Sequence, residues 1–589
     1  MIPKLSQVNI CHHASKQSFE RGQGYYRNGS VGCVIQRGNI LTSEVEGSEV
    51  EPYRIRIDFD QGGVTKASCS CPYDYEGWCK HIVATLLSCL YNPERIEQRE
   101  ELSKQLKTLR REQLQVLIEN LVDEQPGWIE EIEGQIKKIT QIKPSKKQKM
   151  TRRTLVDPKP IQRQVERIVD SYMGQWDDDP ALEEIGEILE KAHKFMREGD
   201  GNNGLIMLGA IVRGYVKNWM NLDGSSGFSG NFFDELDEGL AEGILSADIS
   251  ESEGQKWQKS LEKWQAEVDE YGIESFEMSL TALEQGWESG ALQQVLQGEL
   301  REGIYGDLPR PDFADSLAQI RLKILARQSR NEKYLYLAQA EGQTEQYLEM
   351  LVKLGRIEEA FDEAQERMKT TEEALVVAQK LRETGNLEQA LIVGNQGLSL
   401  EGHQKYNLSV WVSELAEGLE ESQKALESRI IAFNTQPSLP DYLKVQELAS
   451  EEWVELRQKL LSKLRKSSCN LYSEQKVAIF LHEELIDDAI ATVDKLSSYQ
   501  SSTIHQVMDI AMAHRPDWVR ENARPRAESI LNEGKAKYYH HAINWLSQVH
   551  KAYQKLEELE EWQNYRNTLL ENHSRKRKFI SLLRQKKLI

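Results

Sequence analysis

Residues 69–81 carry the clearest chemistry in this chain: Cys69-Ser70-Cys71-Pro72-Tyr73-Asp74-Tyr75-Glu76-Gly77-Trp78-Cys79-Lys80-His81. The pattern is C-x-C, seven residues, then C-x-H. Three thiolates and an imidazole form the soft-to-borderline donor set that tetrahedral Zn²⁺ prefers. Cys69 and Cys71 leave the end of a strand on one side, and Pro72 and Gly77 turn the loop back. Cys79 and His81 then arrive where a helix begins, and the positive end of its dipole favours a thiolate. Four protein ligands fill the tetrahedron. The spacing therefore predicts one structural zinc per chain and no open, catalytic position.

Other reactive side chains lack the company that chemistry needs. Cys11-His12-His13 has no matching pair nearby and reads as the solvated or half-buried start of a domain. Cys33 and Cys89 sit in apolar surroundings and read as core thiols, while Cys469 has no partner. His482-Glu483 lacks the second histidine of a zinc protease, since position 486 is Ile. His540-His541 lies beside Trp545, where packing is expected, and Asp177-Asp178-Asp179 lacks the spaced Gly and final Glu of a calcium loop. Phosphate-binding, nucleophile-elbow and dinucleotide fingerprints do not occur, so the chain reads as non-enzymatic.

The elements that must position the thiolates occupy residues 1–90, the part that reads as β. Tyr53–Phe59 alternates apolar and polar residues, the period of a half-buried strand. Val31–Arg37 and Ile40–Val45 are weaker strands joined at Gly38-Asn39, and Gln61-Gly62-Gly63 returns the chain into Val64–Ser70. Three or four antiparallel strands follow, preceded by a helix around Ser15–Tyr26. So small a sheet has a meagre core, which is why it needs a metal staple. From His81 the period becomes helical, with Ile82, Val83, Leu86, Leu87 and Leu90 on one face, and helices continue over Glu97–Leu106, Glu112–Val122 and Trp128–Ile139.

After Pro160 the pattern is helical almost to the end, with loops at Asp223–Gly227 and Leu308–Pro311. Leu354-Gly355-Arg356-Ile357-Glu358-Glu359-Ala360-Phe361 recurs as Thr384-Gly385-Asn386-Leu387-Glu388-Gln389-Ala390-Leu391, with echoes lacking the Gly at Glu484–Ile490 and Lys537–Ile543. In this unit Gly permits a tight turn, the next apolar residue anchors it, and Ala lets two helices approach. It resembles the tetratricopeptide repeat at a shorter spacing. The expected fold is mainly α: a small N-terminal α+β zinc-binding module followed by an α-helical solenoid or bundle. Its expected divisions are 1–95 zinc module, 96–142 helical extension, 143–160 basic linker, 161–300 helical domain and 312–589 helical repeats.

The zinc pattern resembles the SWIM zinc finger, whose signature is C-x-C, a variable gap, then C-x-H. The resemblance extends upstream through Ser18-Phe19-Glu20-Arg21-Gly22, Tyr25-Tyr26 and Glu51-Pro52-Tyr53-Arg54-Ile55, a lead-in common in bacterial members, and covers residues 10–95. The helical remainder, with Pro437–Leu443 and Arg577–Leu583, is similar to the long helical region many bacterial members carry. The resemblance implies zinc ligands at Cys69, Cys71, Cys79 and His81. It also implies DNA or proteins as partners, since such fingers occur in chromatin-remodeller-like ATPases, transposases and signalling proteins; a helicase-like ATPase is thus an expected protein partner.

Composition limits the rest. With 39% hydrophobic and 29% charged residues the chain can bury large cores and is not disordered. Apolar runs stay far below the roughly 20 residues that span a bilayer, so no membrane role is expected. Seven cysteines, an odd number, and no basic-then-apolar leader predict a reducing, cytoplasmic setting. The net charge of −20 is uneven. Residues 1–90 are neutral, 137–163 carry +9 and 573–589 carry +7, leaving −36 elsewhere. Lys146, Lys147, Lys149, Arg152 and Arg153 are candidate phosphate contacts on the linker, or equally the charges that keep a soluble linker extended. Arg575–Lys578 reads as a basic end that stabilises a helix C-terminus, with a binding patch as the alternative. The expected function is an adaptor whose zinc module meets nucleic acid or a nucleic-acid-handling protein and whose helices dock protein partners. The alternative is a pure protein–protein scaffold in which zinc only folds the module.

Overall fold

The structure is a computed structural model that describes residues 5–140, 154–173, 179–222, 228–273, 275–299, 303–306, 309–467, 472–497 and 500–589. The chain is mainly helical with one small sheet near its N-terminus. It forms two compact units. One joins Met1–Arg110 to Leu398–Ile589; the other is Arg111–Gly397.

In the first unit, α1 (Gln7–His12) and α2 (Lys16–Arg27) precede the sheet. Ser6 and Ser15 start them, each accepting a hydrogen bond from the backbone N–H three residues on. The strands are β1 (Ile35–Arg37), β2 (Ile40–Val45), β3 (Tyr53–Asp60), β4 (Gly63–Cys69) and β5 (Glu97–Arg99), in the order β4-β3-β2-β1-β5. The alternation at Tyr53–Phe59 does what it predicts: Tyr53, Ile55, Ile57 and Phe59 are buried. They meet Ile82, Val83, Leu86 and Leu87 of α3 (Lys80–Tyr91), which covers that face. The Ser43 and Thr85 hydroxyls pair at 2.9 Å inside this core, so neither polar group is stranded.

Two local expectations change. Glu97–Leu106 does not form one helix: Glu97–Arg99 pairs in parallel with β1, and the helix starts only at Leu102. The edge of β1 offers unpaired backbone groups, which Glu97 N–H answers by donating to Val34 O at 2.8 Å, and Ile96 is buried beside it. Cys33 is not a core thiol. It is exposed, 3.4 Å from the Glu97 carboxylate, because β1 begins only at Ile35. Cys89 is buried as expected, and burial pushes its thiol up to about 12.

The repeat signature marks a real turn. Gly355 and Gly385 have φ of 75° and 86°, and the next residues, Arg356 and Asn386, donate to Leu351 O and Leu381 O at 3.0 and 2.9 Å. Ala360 and Ala390 are fully buried, as close helix approach requires. The same turn recurs at Ser329, Glu420, Glu484 and Glu557, all with positive φ and the same pair of hydrogen bonds. Packing therefore holds non-glycine residues in a conformation costing about 1–2 kcal/mol each. The echo at Lys537–Ile543 is different: Gly534 takes the positive φ, and a short 3₁₀ turn, Ala536–Tyr538, leads into the next helix.

The second unit's helices share an apolar core running from Val165 and Ile185 through Leu208, Tyr215 and Phe233 to Ile324. Asp157 caps the helix that starts at Pro158. The Asp223–Gly227 loop lies outside the described residues. Among those described, no helix is long and apolar enough to cross a membrane.

Candidate metal centre

β3 and β4 are paired up to Ile55 opposite Cys69, so the sheet delivers the first thiol at the end of a register set by buried residues. Cys79 is the N-cap residue of α3, and His81 lies in its first turn. The ligand atoms of Cys69, Cys71, Cys79 and His81 all lie within 4.8 Å of one another, and they are the cluster among the described residues that can hold a metal. His81 Nδ1 lies 3.7 Å from the Cys69 sulfur and 3.9 Å from that of Cys79. Zn–S bonds of about 2.3 Å and Zn–N bonds of about 2.0–2.1 Å give tetrahedral S···N edges of roughly 3.6 Å. The donor set and its spacing are compatible with one structural zinc.

The surroundings orient these ligands. The His81 ring lies between Tyr53, with centroids 4.4 Å apart, and Tyr25, at 5.3 Å. Its Nε2 is buried without a hydrogen-bond partner among the described residues, so Nδ1 is the nitrogen that faces the sulfurs. The Cys69 thiol donates to Cys79, and His81 with the backbone N–H groups of Ile82 and His81 adds to this, holding Cys79 down at about 4. Cys69, the donor, is raised in return. A thiolate is thus already prepared at the helix N-terminus.

The loop is fastened from behind. Trp78 N–H donates to His13 O at 2.7 Å, and the Trp78 indole stacks on the His13 imidazole at 4.6 Å. Gly77 has φ of 88°, and a Cβ there would lie 2.8 Å from His13 O, so this approach requires glycine. Cys11-His12-His13, expected at the solvated or half-buried start of a domain, is therefore the seat of the zinc loop.

His13 in turn meets α4 (Lys405–Gly418), α5 (Ser422–Thr435) bridges to the same place through Arg429, and His12 meets α6 (Leu439–Ala449). His13 Nε2 lies 2.9 Å from Glu414, and His12 Nδ1 lies 3.8 Å from Asp441. Arg429 donates to Asp441 at 3.0 Å and reaches within 3.7 Å of Glu414. Lys444 donates to Glu417 at 2.7 Å and to the Ser6 hydroxyl at 3.4 Å. Arg429, Asp441 and Lys444 are at most 1% exposed, a fully buried charged seam. Burial alone would lower His13 and raise Glu414. Their pairing, with Arg429 also acting on Glu414, reverses both, so His13 is raised and Glu414 lowered. His12 is lowered by burial.

Sequence reasoning missed Glu414, Arg429, Asp441 and Lys444, of which Glu414, Asp441 and Lys444 meet His13, His12 and Ser6 from the far end of the chain. A signal existed: Arg429 falls on the apolar stripe of Leu426 and Phe433, and Asp441 and Lys444 flank Tyr442 and Val445. Of the other expected sites, Lys146, Lys147, Lys149, Arg152, Arg153, Cys469, Asp177 and Asp178 lie outside the described residues, and Asp179 opens the helix Asp179–Arg197.

Residues 53–90 match the family model of the SWIM zinc finger. A Homo sapiens protein named zinc finger SWIM domain-containing protein 8 is 31% identical over 121 residues, which are 20% of this chain and 6% of that protein. Its Drosophila melanogaster homolog is 29% identical over 118 residues, again 20% and 6%. An uncharacterized protein of Methanocaldococcus jannaschii is 32% identical over 111 residues, 19% of this chain and 45% of its own length. The similarity thus spans less than a tenth of the animal proteins and less than half of the archaeal one.

Proposed function

We propose, from the match of residues 53–90 to the SWIM zinc finger model, that this protein is a non-enzymatic adaptor. The zinc module meets nucleic acid or a nucleic-acid-associated protein, the helices dock protein partners, and a helicase-like ATPase is the partner class we favour. The observation that carries the reading is the closed ligand set. Three sulfurs and one nitrogen satisfy a tetrahedral ion and leave no position for substrate, so the metal shapes a surface. The +9 segment at 137–163, which follows the module along the sequence, supplies the countercharge a phosphate backbone needs.

A second reading has its own observation: residues 1–90 are neutral, which suits a protein partner as well as a nucleic acid. One experiment separates the two. Binding of the full chain to DNA and RNA is measured across salt concentrations, with and without replacement of Lys146, Lys147, Lys149, Arg152 and Arg153 by alanine. The adaptor reading expects binding that weakens steeply with salt and a shallower slope in the variant. No binding at low salt leaves the scaffold reading.

A further inference from the structure

We propose that the C-terminal helices carry a second nucleic-acid surface, at the corner formed by Lys535–His541 and Arg575–Lys578. In a chain of net charge −20, residues 501–589 hold sixteen Lys and Arg against ten Asp and Glu. Arg515, Arg520, Arg524 and Lys535 are in ion pairs. The other twelve cations have no carboxylate partner among the described residues.

Two stretches some forty residues apart build the corner. Lys576 Nζ donates to Leu531 O, at the end of helix Pro516–Glu533, and lies 6.0 Å from the Tyr539 ring. Tyr539 packs edge-on against Phe579, with centroids 6.2 Å apart. These contacts seat the Arg575–Lys578 turn against the segment that carries Lys537, and Arg575, Arg577, Lys578 and Lys537 are all exposed.

Arg575–Lys578 follows the helix Leu559–Asn572 and leads into the last helix, Arg577–Gln585, with Lys576 as N-cap and no acidic residue in the first turn. A cation just past the first helix suits its negative end, but Arg577 and Lys578 stand at the positive end of the second, where cations are disfavoured. Lys576 has a structural task, capping another helix's C-terminal carbonyl. Arg575, Arg577 and Lys578 have none among the described residues, and a phosphate backbone is the countercharge they lack.

The rings at the corner favour nucleic acid over an acidic peptide. Tyr538 is 40% exposed, with Lys537 Nζ 4.7 Å from its centroid and the His541 ring at 6.4 Å. His540 and His541 lie 3.9 Å apart. Exposed planar rings among unpaired cations are how single strands are held, phosphates on the charges and bases on the rings.

The test uses the full zinc-loaded chain and labelled oligo(dT) and oligo(U), followed by fluorescence anisotropy across salt. Replacing Lys537, Arg575, Arg577 and Lys578 by alanine, with Lys576 kept, should reduce affinity on the order of 100-fold at low salt. It should also flatten the salt slope by about 3, at about 0.7 per lost phosphate contact. Tyr538→Ala should weaken binding about tenfold with the slope unchanged, because stacking releases no counterions. Both variants leave the zinc module and residues 137–163 untouched, so a failure here is distinct from a failure of the adaptor reading. Unchanged affinity and slope in the fourfold variant overturn the proposal. Binding of poly-glutamate as tight as that of the oligonucleotides, and equally lost in the variant, overturns it in favour of an acidic protein.

Discussion

The zinc module and the Arg111–Gly397 unit solve the same stability problem with different means. The second unit buries one long apolar core, Val165 to Ile324, through helices that each contribute several fully buried side chains. The module's core is a single sheet face against α3 with α1 and α2, and it adds two devices: a four-ligand centre and a buried charged seam. Where apolar area is short, metal–ligand bonds and ion pairs take over the task of selecting one arrangement. The consequence is coupling. The zinc loop holds His13, and His13 and its neighbours hold α4–α6, so the metal bears on a helical region far away in sequence.

The largest expected effect comes from breaking the metal centre. Structural zinc in finger-type sites is worth about 10–16 kcal/mol of apparent folding free energy. Chelation, or Cys71→Ser, should abolish amide protection in β2–β4 and α3 and loosen α1 from α6. The Val165–Ile324 core should keep its protection. Hydrogen exchange resolved by segment, with zinc measured by emission spectroscopy, checks this; uniform loss across both units would erase the contrast drawn above.

A smaller effect sharpens the seam. His13 is raised above its ordinary 6.5, so its stabilisation is full below that value and fades as pH rises through its folded value. Glu414 is lowered from 4.5, so its contribution is present above that value and is lost in acid. The cost of His13→Gln should therefore be largest between pH 4.5 and 6.5 and shrink toward alkaline pH. Because the His13 ring is about a third exposed, solvent screens the pair and the cost stays near 1 kcal/mol. Denaturant midpoints of both proteins against pH measure it, and a pH-independent difference would assign His13 a packing role only.

The smallest effect concerns the turns. Glu484 holds φ of 57° in the turn that Gly355 and Gly385 occupy elsewhere. Glu484→Gly should stabilise the first unit by about 1 kcal/mol or less, since relief of the left-handed strain is partly offset by glycine's greater freedom when unfolded. Thermal unfolding of the variant tests it.

Much of the module was legible because its signals are short-range. Alternation at Tyr53–Phe59, the C-x-C and C-x-H spacing and the apolar face of α3 each lie within a few residues, and each specifies its own geometry. Gly355 and Gly385 announced their turns because glycine is the residue that adopts positive φ without strain. Ser329, Glu420, Glu484 and Glu557 adopt it under packing, which leaves no local mark. β5 was hidden for a related reason: Glu97-Gln98-Arg99 has no strand character of its own and pairs because β1 has a free edge.

By itself, then, the sequence determined which side chains make up the metal-compatible cluster and which faces of the strands and helices are buried. Ligand chemistry and hydrophobic periodicity are properties of neighbouring residues. Only the tertiary structure decided what His13 touches, that Arg429, Asp441 and Lys444 form the seam beneath it, and that Lys576 meets Leu531 and Tyr539. Those contacts join positions tens to hundreds of residues apart. Ion pairs and stacked rings act through distance in space, which no spacing along a chain records.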